Sequence, residues 1–80
     1  MNSESLKTYL GERMGLDKAT LADETPLFSS NLLDSFSMVD LIMFIEKESA
    51  VRLDPTDVSL DNLDSIERIL RFVAERRAEA

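Results

Sequence analysis

Leu6, Tyr9, Leu10 and Met14 recur at intervals of three and four, and Lys7, Glu12 and Arg13 are expected to face water. That spacing predicts an amphipathic helix over residues 3–14. Ser3 or Ser5 is available to cap its start, and Gly15 is a natural stop. Residues 16–34 show no sustained period, and Pro26 disfavours helix at Thr25. So long a loop in so short a chain is expected to be functional or held down by its own side chains. Leu21, Leu27, Phe28, Leu32 and Leu33 are the expected anchors, with a helical turn near 17–21. A second helix is predicted from Ser35 to about Glu48 or Ser49, capped by Asp34 or Ser35. Val51, Arg52 and Leu53 leave it extended. Asp54 and Pro55 open a short helical turn to Val58, with Val58 and Leu60 pointing inward. The last helix is expected from near Asn62 to about Arg77, with Leu63, Ile66, Ile69, Leu70 and Val73 as its stripe. Its acids Asp64 and Glu67 come early, and Arg71, Arg76 and Arg77 come late, which suits the helix dipole. No strand pattern competes. The expected fold is an all-α, small four-helix bundle, with three main helices plus a short third and a long loop between helices 1 and 2. Residues 1–80 read as a single domain.

The second helix carries more apolar surface than a core contact needs. At 100° per residue, Met38, Leu41, Ile42 and Ile45 fall on one side, which is a sufficient core face. Phe36, Val39 and Met43 fall on another, beside Asp40 and Lys47. Either the other elements wrap this second stripe or it is a docking surface. A Phe/Val/Met stripe rimmed by acids has the composition of a transient protein contact.

Charge sharpens this picture. The chain holds 16 acids and 9 bases, a formal net charge of −7. Residues 20–67 hold eleven of the acids and two bases, a net of −9. The middle of the chain should repel nucleic acid and anionic membranes and attract basic proteins, although ordinary solubility is an equal explanation. No stretch has the length and apolarity to cross a bilayer, and the N-terminal residues lack a signal-peptide pattern. A monomer in the cytoplasm is the expectation.

Ser35 sits at the start of the helix that bears the extra stripe. A catalytic serine needs a base, and the chain has no histidine and no Gly-x-Ser-x-Gly turn. Cysteine is absent too, so no protein thiolate is available. The acids around Asp17, Asp23 and Glu24 lack calcium-loop spacing. Two readings remain. Asp34 and Ser35 are simply caps, or Ser35 bears a phosphodiester near the positive end of the helix dipole.

Leu33-Asp34-Ser35-Phe36, followed by Met38-Val39-Asp40-Leu41, resembles the acyl carrier protein family, which includes peptidyl and aminoacyl carrier domains. Gly11 to Leu16, Asp23 to Phe28, Leu53-Asp54-Pro55 and Leu63-Asp64-Ser65-Ile66 extend the resemblance over nearly the whole chain. It implies that Ser35 takes 4′-phosphopantetheine from coenzyme A through a phosphopantetheinyl transferase, with Asp34 helping to present it. Acyl or aminoacyl groups would ride on the arm as thioesters between a loading ligase and downstream synthases or transferases. Phe36, Val39, Asp40 and Met43 would form the docking face, with Glu46, Lys47, Glu48 and Asp54 as its charged surroundings. The chain would be a carrier and not an enzyme. Lys47 and the large Phe44 depart from the pattern of many fatty-acid carriers and favour a small acyl or aminoacyl cargo. An unmodified acidic adaptor that docks partners through the same face is the alternative.

Overall fold

Asn2 caps the first helix, one position before Ser3 and three before Ser5, the two serines considered for that role. Its side chain accepts from the Ser5 amide at 2.8 Å, and Ser5 Oγ accepts from the Asn2 amide at 3.0 Å. This reciprocal pair satisfies two amides that the helix leaves without partners. Helix α1 runs Ser3–Met14 and ends at Gly15, whose φ of 70° lies in the left-handed region. A single 3₁₀ turn, Lys18–Thr20, follows, with Asp17 accepting from the Ala19 amide. Helix α2 spans Ser35–Ser49 and α3 spans Leu60–Leu63, with a 3₁₀ turn Pro55–Asp57 between them. Helix α4 covers Ile66–Glu79. The structure, a computed structural model, describes residues 1–79, with side chains through Arg77; Ala80, the last residue of the expected domain, lies outside this range. No strand occurs among the described residues, so the all-α four-helix fold holds.

The apolar faces meet in one core. Leu6, Leu10, Leu27, Leu41, Ile45, Leu63, Ile66 and Ile69 are fully buried, so every helix and the long loop contribute to it. Each such side chain stabilises the fold by about 1.5–3 kcal/mol relative to exposure. Phe72 is also buried, although the expected stripe on the last helix omitted it. Its ring lies under the Arg76 guanidinium at 5.2 Å, and Arg76 reaches Asp57 at 2.5 Å, which fastens the 55–57 turn to α4. Two expected inward residues are not inward. Leu60 is 46% exposed and Leu32 is 44% exposed.

The expected last helix is interrupted. One period spans residues 62–77, but the backbone breaks at Asp64 and Ser65 into α3 and α4. The reason is that neither side chain is a helix-surface polar group. Ser65 Oγ accepts from the Arg68 amide at 3.1 Å, capping α4. Arg68 in turn donates to the Leu60 carbonyl at 3.2 Å. Asp64 is buried and turns toward the long loop. Its Oδ1 accepts from the amides of Phe28 (2.8 Å) and Ser29 (2.9 Å), and its Oδ2 accepts from Ser29 Oγ at 2.7 Å. The Asp64 carbonyl accepts from the Leu27 amide at 2.6 Å. Asp23 adds a second tie, its carbonyl accepting from the Glu67 amide at 2.9 Å. The loop is therefore packed down, as its length and apolar anchors suggested, but hydrogen bonds do much of the holding.

Burial by itself raises the Asp64 pKa. The amide and hydroxyl of Ser29, the amide of Phe28 and the charge of Arg68 outweigh it and hold the carboxyl below its ordinary value. A group whose folded pKa is depressed contributes stability above its unfolded pKa and loses it as pH falls through the folded value. The clasp should contribute fully above about pH 4 and be lost as pH falls from there through the carboxyl's lowered value. Asp64→Ala leaves two inward amides without partners and is expected to cost about 2–3 kcal/mol in denaturant unfolding at pH 7. Asp64→Asn should cost less, and its stability should fall less than the native chain's between about pH 4 and pH 2. Ala50 gives a test of opposite sign. It closes α2 at φ 58°, with its amide donating to the Glu46 carbonyl at 3.0 Å. A residue with a Cβ is strained there, so Ala50→Gly should raise stability by about 0.5–1 kcal/mol in the same measurement.

Candidate functional site

Asp34 and Ser35 stand where the clamped loop becomes α2. Leu33, just before them, is buried, and its amide donates to the Leu27 carbonyl at 2.9 Å. Asp34 Oδ1 accepts from the Ser37 amide at 2.9 Å, and the Asp34 carbonyl accepts from the Met38 amide at 3.0 Å. The Ser37 amide and hydroxyl hold the Asp34 carboxyl below its ordinary pKa. Asp34 is thus the cap that sequence offered as one of two choices. Ser35 is the first helical residue and is exposed. No hydrogen bond engages its hydroxyl among the described residues.

This geometry bears on the chemistries open to a serine. Nothing near Ser35 is poised to take its proton, so the hydroxyl has no partner of the kind a nucleophilic catalyst uses. No cluster of three or more acidic side chains suited to a metal occurs among the described residues. A phosphodiester fits instead. The hydroxyl is open to solvent, the helix N-terminus favours an anion, and the Asp34 charge is engaged with Ser37.

The second apolar stripe is not wrapped. Phe36 is 85% exposed, Met43 62% and Val39 57%. Leu41 and Ile45 are buried on the other side, while Met38 and Ile42 are half-buried. The two faces separated on the helical wheel are separate in space. Asp40, Lys47 and Glu48 are exposed along α2, and Asp54 is exposed at the following turn. Glu46 differs from these. It is half-buried, and its Oε2 accepts from the Leu53 amide at 2.9 Å, tying α2 to the segment that leaves it. Phe44 stacks on Tyr9 of α1, with centroids 4.1 Å apart and planes 19° from parallel. The pair joins α1 to α2 and lines the open space between them.

The residues that position this junction were largely missed by periodicity. Asp64, Ser29 and Asp23 hold the loop, yet Asp64 falls where a polar helix position is unremarkable. One signal was present. Leu63-Asp64-Ser65-Ile66 has the same form as Leu33-Asp34-Ser35-Phe36 and also opens a helix. In the first copy the serine is exposed and the aspartate caps; in the second both are buried, the serine caps and the aspartate reaches the loop.

The sequence profile described as phosphopantetheine attachment site matches residues 4–73. The chain is 27% identical over 71 residues to an acyl carrier protein of Thermotoga maritima, covering 89% of this chain and 85% of that protein. It is 31% identical over 68 residues to the probable acyl carrier protein PigG of a Serratia species, covering 85% of this chain and 72% of that one. With the match running from α1 into α4, the chain belongs to the phosphopantetheine-attachment family of acyl carrier proteins, whose cofactor is 4′-phosphopantetheine.

Proposed function

We propose that Ser35 is the attachment residue and that the chain carries acyl or aminoacyl groups as thioesters between partner enzymes in the cytoplasm. The supporting observation is a solvent-exposed, unengaged serine hydroxyl at the first position of α2, held in place by a clamped loop. A phosphopantetheinyl transferase would approach Ser35 over the open end of α2. The Ser35 oxygen replaces the adenosine bisphosphate portion of coenzyme A at phosphorus, and its proton leaves with a base of the transferase. The arm supplies a thiol that this cysteine-free chain lacks. Asp34 fixes the first turn, and Phe36, Val39, Asp40 and Met43 form the contact surface, with Lys47, Glu48 and Asp54 setting its charge. A monomer suits this task, because tethering raises the cargo's effective concentration at each active site without a large permanent interface. Small, charge-steered contacts favour fast exchange between a loading ligase and the enzymes downstream. Phe44, stacked on Tyr9, takes up room that a smaller side chain would leave, which favours a small acyl or aminoacyl cargo over a long chain. The alternative, an unmodified adaptor docking through the same face, needs no change at Ser35.

Incubation with coenzyme A and a broad-specificity phosphopantetheinyl transferase should add the mass of one phosphopantetheine. Ser35→Ala should abolish the gain. An unchanged mass, under conditions that modify a control carrier, would leave the adaptor as the surviving reading.

A further inference from the structure

The end of the long loop, which leads into Ser35, is bonded to the distant α3–α4 junction in steps that reach the attachment position. The Leu27 amide donates to the Asp64 carbonyl at 2.6 Å, and the Leu33 amide donates to the Leu27 carbonyl at 2.9 Å. Leu33 is followed by Asp34, the cap of α2, and then by Ser35. The Asp64 carboxylate holds the same stretch through the amides of Phe28 and Ser29 and the hydroxyl of Ser29. Within the stretch, the Asn31 amide donates to the Phe28 carbonyl at 3.0 Å, and Ser30 Oγ donates to the Pro26 carbonyl. Asn31 itself lies at φ 66°, in the left-handed region. A residue other than glycine is kept there by its surroundings.

The Ser35 hydroxyl is exposed, and no hydrogen bond engages it among the described residues. Its place is therefore set by the backbone that carries it, which is the cap of α2 and the loop that enters the cap. Transfer to a hydroxyl needs the attacking oxygen in line with the bond that breaks. A misplacement of about 1 Å, caused far from the chemistry, can cost on the order of a hundredfold in rate. Asp64 is buried, and neither it nor Ser29 belongs to the exposed Phe36/Val39/Met43 stripe. A change in the clasp thus displaces the nucleophile and leaves the residues of that stripe unaltered.

We propose that Asp64 and Ser29 are positioning residues for the attachment reaction, and that their clasp sets the rate of phosphopantetheine transfer to Ser35 without setting the affinity for the transferase. The proposal rests on Ser35 as the attachment residue. In the step concerned, a bond forms between Ser35 Oγ and the phosphorus that bears the pantetheine arm. The bond from that phosphorus to adenosine 3′,5′-bisphosphate breaks, and the hydroxyl proton leaves with a base of the transferase. Asp64 and Ser29 touch none of these atoms. They act through the relay from Asp64 to Leu27 to Leu33, which fixes the residue before the cap and hence the direction in which Ser35 is presented.

The test is single-turnover transfer to the full chain, with saturating coenzyme A and a broad-specificity phosphopantetheinyl transferase in excess, followed by intact mass. Varying the transferase separates the maximal rate from the half-saturating concentration. Each variant is assayed where its unfolding curve shows the native state. Asp64→Ala should lower the maximal rate about tenfold or more, with the half-saturating concentration within about twofold of native. Asp64→Asn keeps an oxygen for the two amides and should restore most of the rate. Ser29→Ala removes one bond and keeps both amides engaged, so it serves even if Asp64→Ala does not fold. It should slow the maximal rate about threefold, the scale of one neutral hydrogen bond. Leu10→Ala opens the core on α1, keeps every group of the clasp, and should transfer at the native rate. Native rates in Asp64→Ala or Ser29→Ala, a loss carried by half-saturation alone, an equal loss in Leu10→Ala, or no rescue by Asp64→Asn would each overturn the proposal. A native chain that takes no phosphopantetheine, or a Ser35→Ala chain that still takes it, would instead overturn the attachment assignment, and the proposal with it.

Discussion

The hydrogen bonds that converge on Asp64 are the constraint on which the rest of this structure depends. Residues 16–34 contain only a single turn of helix and cannot hold a shape by their own backbone bonds. Leu21, Leu27 and Leu33 give them buried anchors, but apolar contacts alone are not directional. The buried carboxylate supplies direction. It fixes two consecutive amides and a hydroxyl, while its own carbonyl takes the amide of Leu27. The break between α3 and α4 follows from the same requirement, since a continuous helix would aim Asp64 elsewhere. The result is a rigid approach to Asp34 and Ser35, with α2 entering the bundle at one angle.

Helix α2 then serves two surfaces at once. Leu41 and Ile45 close the core, and Phe36, Val39 and Met43 remain in water. A chain of this size has too few elements to cover a helix on all sides. Leaving three large apolar side chains exposed costs solubility, which the net charge of −7 offsets. Glu46 shows that not every acid on this helix serves the surface. One of its oxygens stabilises the turn that follows, through Leu53.

The sequence made the helices legible wherever one period governed them. The bounds of α1 followed from Leu6, Tyr9, Leu10 and Met14, and the start of α2 followed from Asp34. The exposed stripe was legible because the wheel separates Phe36, Val39 and Met43 from Leu41 and Ile45. Periodicity failed where side chains act at a distance. Asp64 and Ser65 lie within an unbroken apolar stripe, and the partners that break the helix are 35 and 36 residues away at Ser29 and Phe28. Asn2 escaped for a different reason, because two serines beside it were equally good caps on propensity alone. Leu32 and Leu60 were read as inward because they are leucines, although an exposed leucine is common on any protein surface.

The span of the Asp64 clasp also orders events in folding. Closing a loop of some 35 residues carries an entropic cost before its contacts return anything. The local helices α1 and α2 can form early, whereas the segment leading into Ser35 is fixed only when the α3–α4 junction arrives. During synthesis that junction emerges about 30 residues after Ser35 itself. A newly made chain thus passes through a stage in which Ser35 is present on a helix whose entry is not yet held. The platform becomes definite only once the rest of the bundle has been made.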